Sequence, residues 1–341
     1  MINLSQLITN DGLRGVVFPG IIKNGRYFLT QFTLFEDGII DCWGCVDLGL
    51  FEEKLNTQWV VPSFPDGNFA GLSRTGDMQI LDAKWANYSK RAHYNYVRSI
   101  LEQMNPTLEN IFDMQGSETR QDEETGAKYA KVSRRASHRL KPAHKPSDPI
   151  LKSETLNHLW QDGQDFRYVE SVIFEDRTVV TYGMGTPREQ SWAQFTELFE
   201  QNAPFASPDP GDRVVIEGLV TFKAGEVGWF KPKNDIYDEY NDVLDTLKGE
   251  PSRIQICVQS FATYTENPTP ETLEALRLAY ENVPESQQVF CGDQDVKDTP
   301  IRIALYGDKE IENWSHWQVS KSQGETPPTI NVPKIKNQDC K

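Results

Sequence analysis

The chain has 341 residues, 38% of them apolar, and its 35 Lys and Arg against 50 Asp and Glu leave a net charge of −15. Eight Trp, 12 Tyr and 17 Phe carry too much buriable area for wholesale disorder, and no run approaches the roughly 18–20 apolar residues of a membrane span. Five Cys, and a start with no basic region leading into an apolar run, speak against a disulfide framework and a secretory signal and for the cytoplasm.

In chain order, Arg26 to Phe35 is aromatic and β-branched and predicts a strand. Asp37-Gly38 supplies the hairpin turn, and Ile39 to Val46 returns as the partner strand. Asp47 reads as the cap of a short helix with Leu48, Phe51 and Leu55 on one face. Trp59 to Phe64 and Met78 to Trp85 predict strands, with a turn at Pro65-Asp66-Gly67. Tyr94, Val97, Leu101 and Met104 recur at the spacing of a helix stripe.

The same order then repeats. Phe35-Glu36-Asp37 meets Phe174-Glu175-Asp176 at an offset of 139, Trp43-Gly44 meets Tyr182-Gly183, and Phe51 meets Phe195. Pro65-Asp66 meets Pro208-Asp209, Trp85 meets Trp229, and Tyr94-Asn95 meets Tyr240-Asn241 at an offset of 146. Matches in this order indicate a duplication. The second hairpin, turning at Asp176-Arg177, is expected to be looser than one turning at Asp-Gly. The paired aromatics Phe35/Phe174, Trp43/Tyr182, Trp85/Trp229 and Tyr94/Tyr240 are the predicted core.

The fold class that follows is α+β: two tandem units of hairpin, helix, strands and helix with antiparallel sheets, plus a C-terminal α/β extension. The expected division is a first unit at 1–112, a charged flexible linker at 113–159, a second unit at 160–250, an extension packed on it at 251–320, and an unpacked tail at 321–341. In the extension, Arg253 to Thr263 and Ile301 to Tyr306 read as strands, and Thr269-Pro270 opens a helix.

The linker reverses the sign of the charge. Lys128, Lys131, Arg134, Arg135, Arg139, Lys141 and Lys145 fall in a stretch without acids, a local +7 that leaves −22 on the rest. As a tether it needs no ligand; as a contact it suits phosphates or an acidic partner, with Arg134 and Arg135 the candidate residues. Elsewhere the acidic surface repels nucleic acid and favours a basic protein.

No motif fixes a reaction. Cys42-Trp43-Gly44-Cys45 lies on a predicted strand, where residues three apart face opposite ways, so it is a poor redox pair. Asp66 and Asp82 with Lys84 loosely fit a metal nuclease, two acids holding a divalent cation and a lysine activating water. Asp293, Asp295 and Asp298 offer clustered oxygens for a cation, but the glycine and glutamate of a calcium loop are missing. Trp314 and His316 are candidate contact residues, the latter between two indoles in Trp314-Ser315-His316-Trp317, and Trp43 and Trp85 join them if both prove exposed instead of core. No cofactor is indicated.

The segment Phe35-Glu36-Asp37-Gly38-Ile39-Ile40-Asp41-Cys42-Trp43-Gly44, with Pro65-Asp66-Gly67, resembles an uncharacterised bacterial domain over about the first hundred residues. The resemblance implies a bacterial cytoplasmic setting and no activity. The expected function is therefore binding: an acidic interaction protein for a basic protein partner, such as an immunity, inhibitor or defence-associated protein. The alternatives are the Asp66/Asp82/Lys84 nuclease and a ligand sensor with a pocket between the units.

Overall fold

The first repeat is built around one long hairpin. In the computed structural model β1 (Ser5–Thr9), β2 (Arg14–Asn24) and β3 (Arg26–Phe35) are followed by β4 (Ile40–Asp41), β5 (Cys45–Val46), α1 (Leu48–Asn56), β6 (Phe69–Leu72), β7 (Gly76–Trp85) and α2 (Lys90–Met104). The structure describes residues 4–113, 119–121, 128–130, 135–201, 205–293 and 295–335, with the backbone alone at 119–121 and 128–130. Asp47 starts α1 by accepting the Leu50 N–H at 2.7 Å, one of the donors a helix end leaves unpaired. Phe51 and Leu55 of α1 and Val97, Ile100 and Leu101 of α2 bury against Phe18, Ile22 and Phe32 on the outer sheet face. Each such side chain contributes about 1.5–3 kcal/mol of burial. Trp59 to Phe64 forms no strand; Val60 makes a single bridge to Ile22.

Between the repeats β8 (Thr119–Gln121) pairs with β9 (Lys128–Ala130), and β10 (Ser137–Arg139) joins the main sheet beside β1. Part of the expected tether is thus a strand. The second repeat runs β11 (Ser153–Asp162), β12 (Asp165–Phe174), β13 (Thr178–Tyr182), β14 (Arg188–Ser191), α3 (Trp192–Glu200), β15 (Arg213–Ile216), β16 (Val220–Phe230) and α4 (Lys233–Lys248). Its register copies the first. Tyr27 lies beside Ala70 in the parallel pair of β3 and β6, and Phe166 lies beside Val214 in the pair of β12 and β15. The second turn is as tight as the first, because Arg177 adopts φ +64° where Gly38 has +86°. Arg177 N–H reaches the Phe174 carbonyl at 2.9 Å, and Asp176 accepts the Thr178 N–H.

The repeats join through equivalent strands. β7 pairs antiparallel with β16, so β2-β3-β6-β7 on one side is answered by β16-β15-β12-β11 on the other. The pairing is bulged at Asp82-Ala83 on β7 and twice on β16, and bulges bend strands. The sheet accordingly curls, and its inner face closes over a core shared by both repeats, with Leu29, Ile80, Trp85, Tyr168, Val214 and Phe222 among its members.

The chain divides into two compact units, Met1–Lys233 and Asn234–Lys341. The second contains, after α4, α5 (Arg253–Glu266), α6 (Pro270–Glu281), α7 (Glu285–Gln288), α8 (Thr299–Tyr306), a 3-10 turn at Asp308–Asn313 and α9 (Ser315–Ser322). The expected α/β extension is therefore helical. Arg253 to Thr263 is helix and not strand because Ile254, Cys257, Phe261 and Tyr264 repeat at i, i+3, i+7 and i+10 and face one core. Ser252 and Gln255 close a capping box at its start. Ile301 to Tyr306 is likewise helix, opened by Thr299-Pro300 and directing Ile301, Ala304 and Leu305 inward. Of the tail expected to be unpacked, 321–326 is exposed, while Val332 and Ile335 pack against the same core.

Candidate functional site

The basic segment between the repeats is a clasp. Arg135 makes two hydrogen bonds to the Asp37 carboxylate, at 2.9 and 2.6 Å, with its guanidinium over the Phe35 ring. Six residues on, Lys141 Nζ lies 2.6 Å from Asp176 and over the Phe174 ring. Asp37 and Asp176 are equivalent turn residues, and Phe35 and Phe174 equivalent core residues, so one segment engages the same feature of both repeats. Burial alone would raise the Asp176 carboxyl, yet Lys141 and Thr178 hold it below the usual range. Sequence reasoning missed this site. Its signal was the repeated Phe-Glu-Asp together with two cations spaced between the copies.

Arg139, between those two, enters the inner face of the sheet. It donates to Ser5 Oγ at 2.6 Å and to the Glu170 carboxylate. Glu170 is buried, and a buried carboxylate needs such a partner. Beside this pair Ser5, Gln31, Tyr168, Glu170, Tyr182 and Glu217 border a slot of about 40 Å³. Burial pushes the Tyr182 hydroxyl up to about 12, and the Glu170 charge adds to it. The slot has room for a water or two and falls far below the roughly 300 Å³ of a metabolite site.

The other predicted residues are dispersed. Arg135 is spent on Asp37, and Arg134 lies outside the described residues. Trp85 is buried in the shared core, whereas its counterpart Trp229 is 48% exposed. Trp43, taken as core, is 41% exposed. It adopts φ +66°, a conformation costing a bulky residue about 1–2 kcal/mol, which sets its ring outside against Phe28 and Trp59. Its counterpart Tyr182 is buried. Cys42 and Cys45 are buried, and burial pushes the Cys42 thiol up to about 12.

Asp66 accepts the Ala83 N–H, while Asp82 lies 2.8 Å from Lys223. Hydrogen bonding to Lys223, with Lys84 nearby, holds Asp82 below the usual carboxylate range. Asp293 caps its own loop by accepting from Asp295 and Val296, and Asp298 accepts from Tyr280. Among the described residues no three His, Cys, Asp or Glu side chains converge on a possible metal position. Trp314 is buried, donating to the Asp295 carbonyl, and the exposed His316 stacks on it.

The excess acid is concentrated in the helical unit. From Asn234 to Pro328 seven Lys and Arg stand against 18 Asp and Glu, a net −11. Arg253 pairs with Asp238 and Asp242, Arg277 with Glu274 and Glu281, and Arg302 with Glu310. Seven cations cannot neutralise 18 anions, so the unit projects a negative field. The same unit exposes Ile256, Val258, Leu278, Phe290 and Val319.

Residues 6–108 and 151–251 each match a domain of unknown function, DUF7638. Residues 252–328 match a second domain of unknown function, DUF7639. The chain belongs to the DUF7638 family, in two copies, so the resemblance first seen over a hundred residues covers both repeats. The second match starts at 151 and thus includes β11. No curated protein and no solved structure gives a match. Among the described residues no helix is long and apolar enough to cross a membrane.

Proposed function

We propose that the chain is a non-catalytic binding protein whose acidic helical unit takes a basic protein partner, in the manner of an immunity, inhibitor or defence-associated protein. The observation that carries this reading is the net −11 between Asn234 and Pro328. A field of that sign steers cationic proteins and speeds their encounter, and it weakens as salt shortens its range to about 8–10 Å. The apolar side chains exposed on the same unit supply area that charge alone does not. The cations of the clasp are engaged by Asp37, Glu170 and Asp176, which favours a structural role for the basic segment over phosphate binding.

Affinity capture on the full chain, at low and at moderate salt, tests the reading. One basic protein should be retained, and its retention should fall as salt rises. Capture of nothing at either salt would refute it. So would cleavage of nucleic acid in Mg²⁺ that Asp82→Ala and Lys84→Ala each abolish with the fold intact.

A further inference from the structure

We propose that the helical unit carries a groove for an extended basic peptide, and that the chain's own residues 329–335 occupy it. This deepens the reading of a basic partner and rests on it for the partner's chemistry.

The segment Thr329–Ile335 follows the last helix and lies beyond the 252–328 match to the second domain. It has no helical or strand structure. It is nonetheless held by features of a recognised peptide. Tyr264 Oη donates to the Pro333 carbonyl at 2.7 Å. Lys334 Nζ lies 2.6 Å from the Asp308 carboxylate. Val332 and Ile335, three apart, pack on the core formed by Cys257, Tyr264, Leu276 and Ile301. Apolar, proline, lysine, apolar is thus read as two anchors, a carbonyl and a charge. Proline pre-sets an extended backbone and leaves no donor to satisfy.

The fit is partial, and that is why the groove suits a second occupant. A cavity of about 310 Å³ remains between the tail and the helices, with Val332, Pro333 and Lys334 on one side and Leu273, Ile303 and Ala304 on the other. The pair of Lys334 and Asp308 is open to solvent, 73% and 70% exposed, and contributes little to holding the tail. Residues 329–341 carry three Lys and one Asp, a net +2 against the −11 of the unit beneath. A partner segment of the form apolar-Pro-Lys-apolar can reproduce every one of these contacts and fill the remaining space. The tail competes with it at the millimolar effective concentration that a short tether gives.

A fluorescent synthetic peptide, Thr-Ile-Asn-Val-Pro-Lys-Ile, titrated into two forms of the full chain, tests this. In one form Val332→Asp and Ile335→Asp release the tail; the other is wild type. The released form should bind the peptide saturably, at least tenfold more tightly than wild type. Asp308→Lys added to the released form should weaken binding about two- to fivefold, and a peptide with Lys replaced by Glu should restore it. A released form that is folded by circular dichroism, yet binds the peptide no better than a scrambled one, overturns the proposal. So does equal binding by both forms, which places the peptide elsewhere. Concentration-dependent dimers of the wild type, seen by light scattering, would instead assign the groove to the tail of a second copy. A groove that ignores the peptide leaves salt-sensitive retention of a basic partner untouched, so the two readings fail separately.

Discussion

His93 sits on α2, buried, stacked on Phe51, with neither ring nitrogen hydrogen-bonded. Burial pulls its pKa down to about 4 from 6.5. The folded chain therefore refuses a proton that the unfolded chain accepts below about pH 6.5. Stability is complete above that pH and falls as pH drops toward 4, where the loss levels off. His158, buried and pulled down to about 3, acts in the same direction. His93→Leu should remove its share, making the variant about 2 kcal/mol more stable than wild type at pH 5 relative to pH 7.5. Urea titrations at both pH values measure this; equal differences at the two would contradict it. The sequence placed His93 next to the Tyr94, Val97, Leu101 stripe but could not place it inside, because the buried face of α2 is wider than that stripe and takes in His93 and Ile100. Trp43 was misplaced for a different reason. Its alignment with the buried Tyr182 is real, but a left-handed backbone at one residue reverses the direction of a side chain, and nothing in the composition announces it.

At the level of elements, the clasp strand β10 ties Ser5 on β1 to Glu170 on β12 through one guanidinium. Arg139→Met strands the buried carboxylate and should cost about 3–5 kcal/mol. Replacing both partners, Arg139→Met with Glu170→Leu, should recover most of that, since a packed apolar pair has no charge to solvate. Denaturant midpoints of the three chains decide the matter; a double variant as weak as the single would mean that the pair serves something other than sheet closure. Secondary structure was legible where spacing and caps agreed, as in α1 with Asp47 and α6 with Thr269-Pro270. It was illegible in α5, where Ile254, Ile256 and Val258 alternate like a strand while Ile254, Cys257, Phe261 and Tyr264 keep the period of a helix. The capping box at Ser252 and Gln255 was the deciding signal.

For the whole molecule, a sequence pI near 4.9 puts zero net charge inside the pH window where the buried histidines weaken the fold. Colloidal repulsion and conformational stability should therefore fail together near pH 5. Light scattering should rise there in wild type and rise less in His93→Leu, which keeps the charge balance but not the acid lability. Identical scattering from both would separate the two effects. The duplication was readable because it rests on residue order alone. Which strand meets which was not, since the contact of β7 with β16 joins residues far apart in the chain and leaves no local trace.

That contact has an evolutionary corollary. A protein made of one repeat would end in a bare β7 edge, and two such chains would bury it against each other as a homodimer related by a two-fold axis. In such a homodimer every substitution is made twice, once on each side of the axis. A fused gene is free of this constraint, so that one member of a pair can remain neutral and the other acquire charge, as with Gln31 and Glu170, or one can stay inside and the other turn to solvent, as with Trp85 and Trp229. Only covalent linkage permits such asymmetry without a second gene.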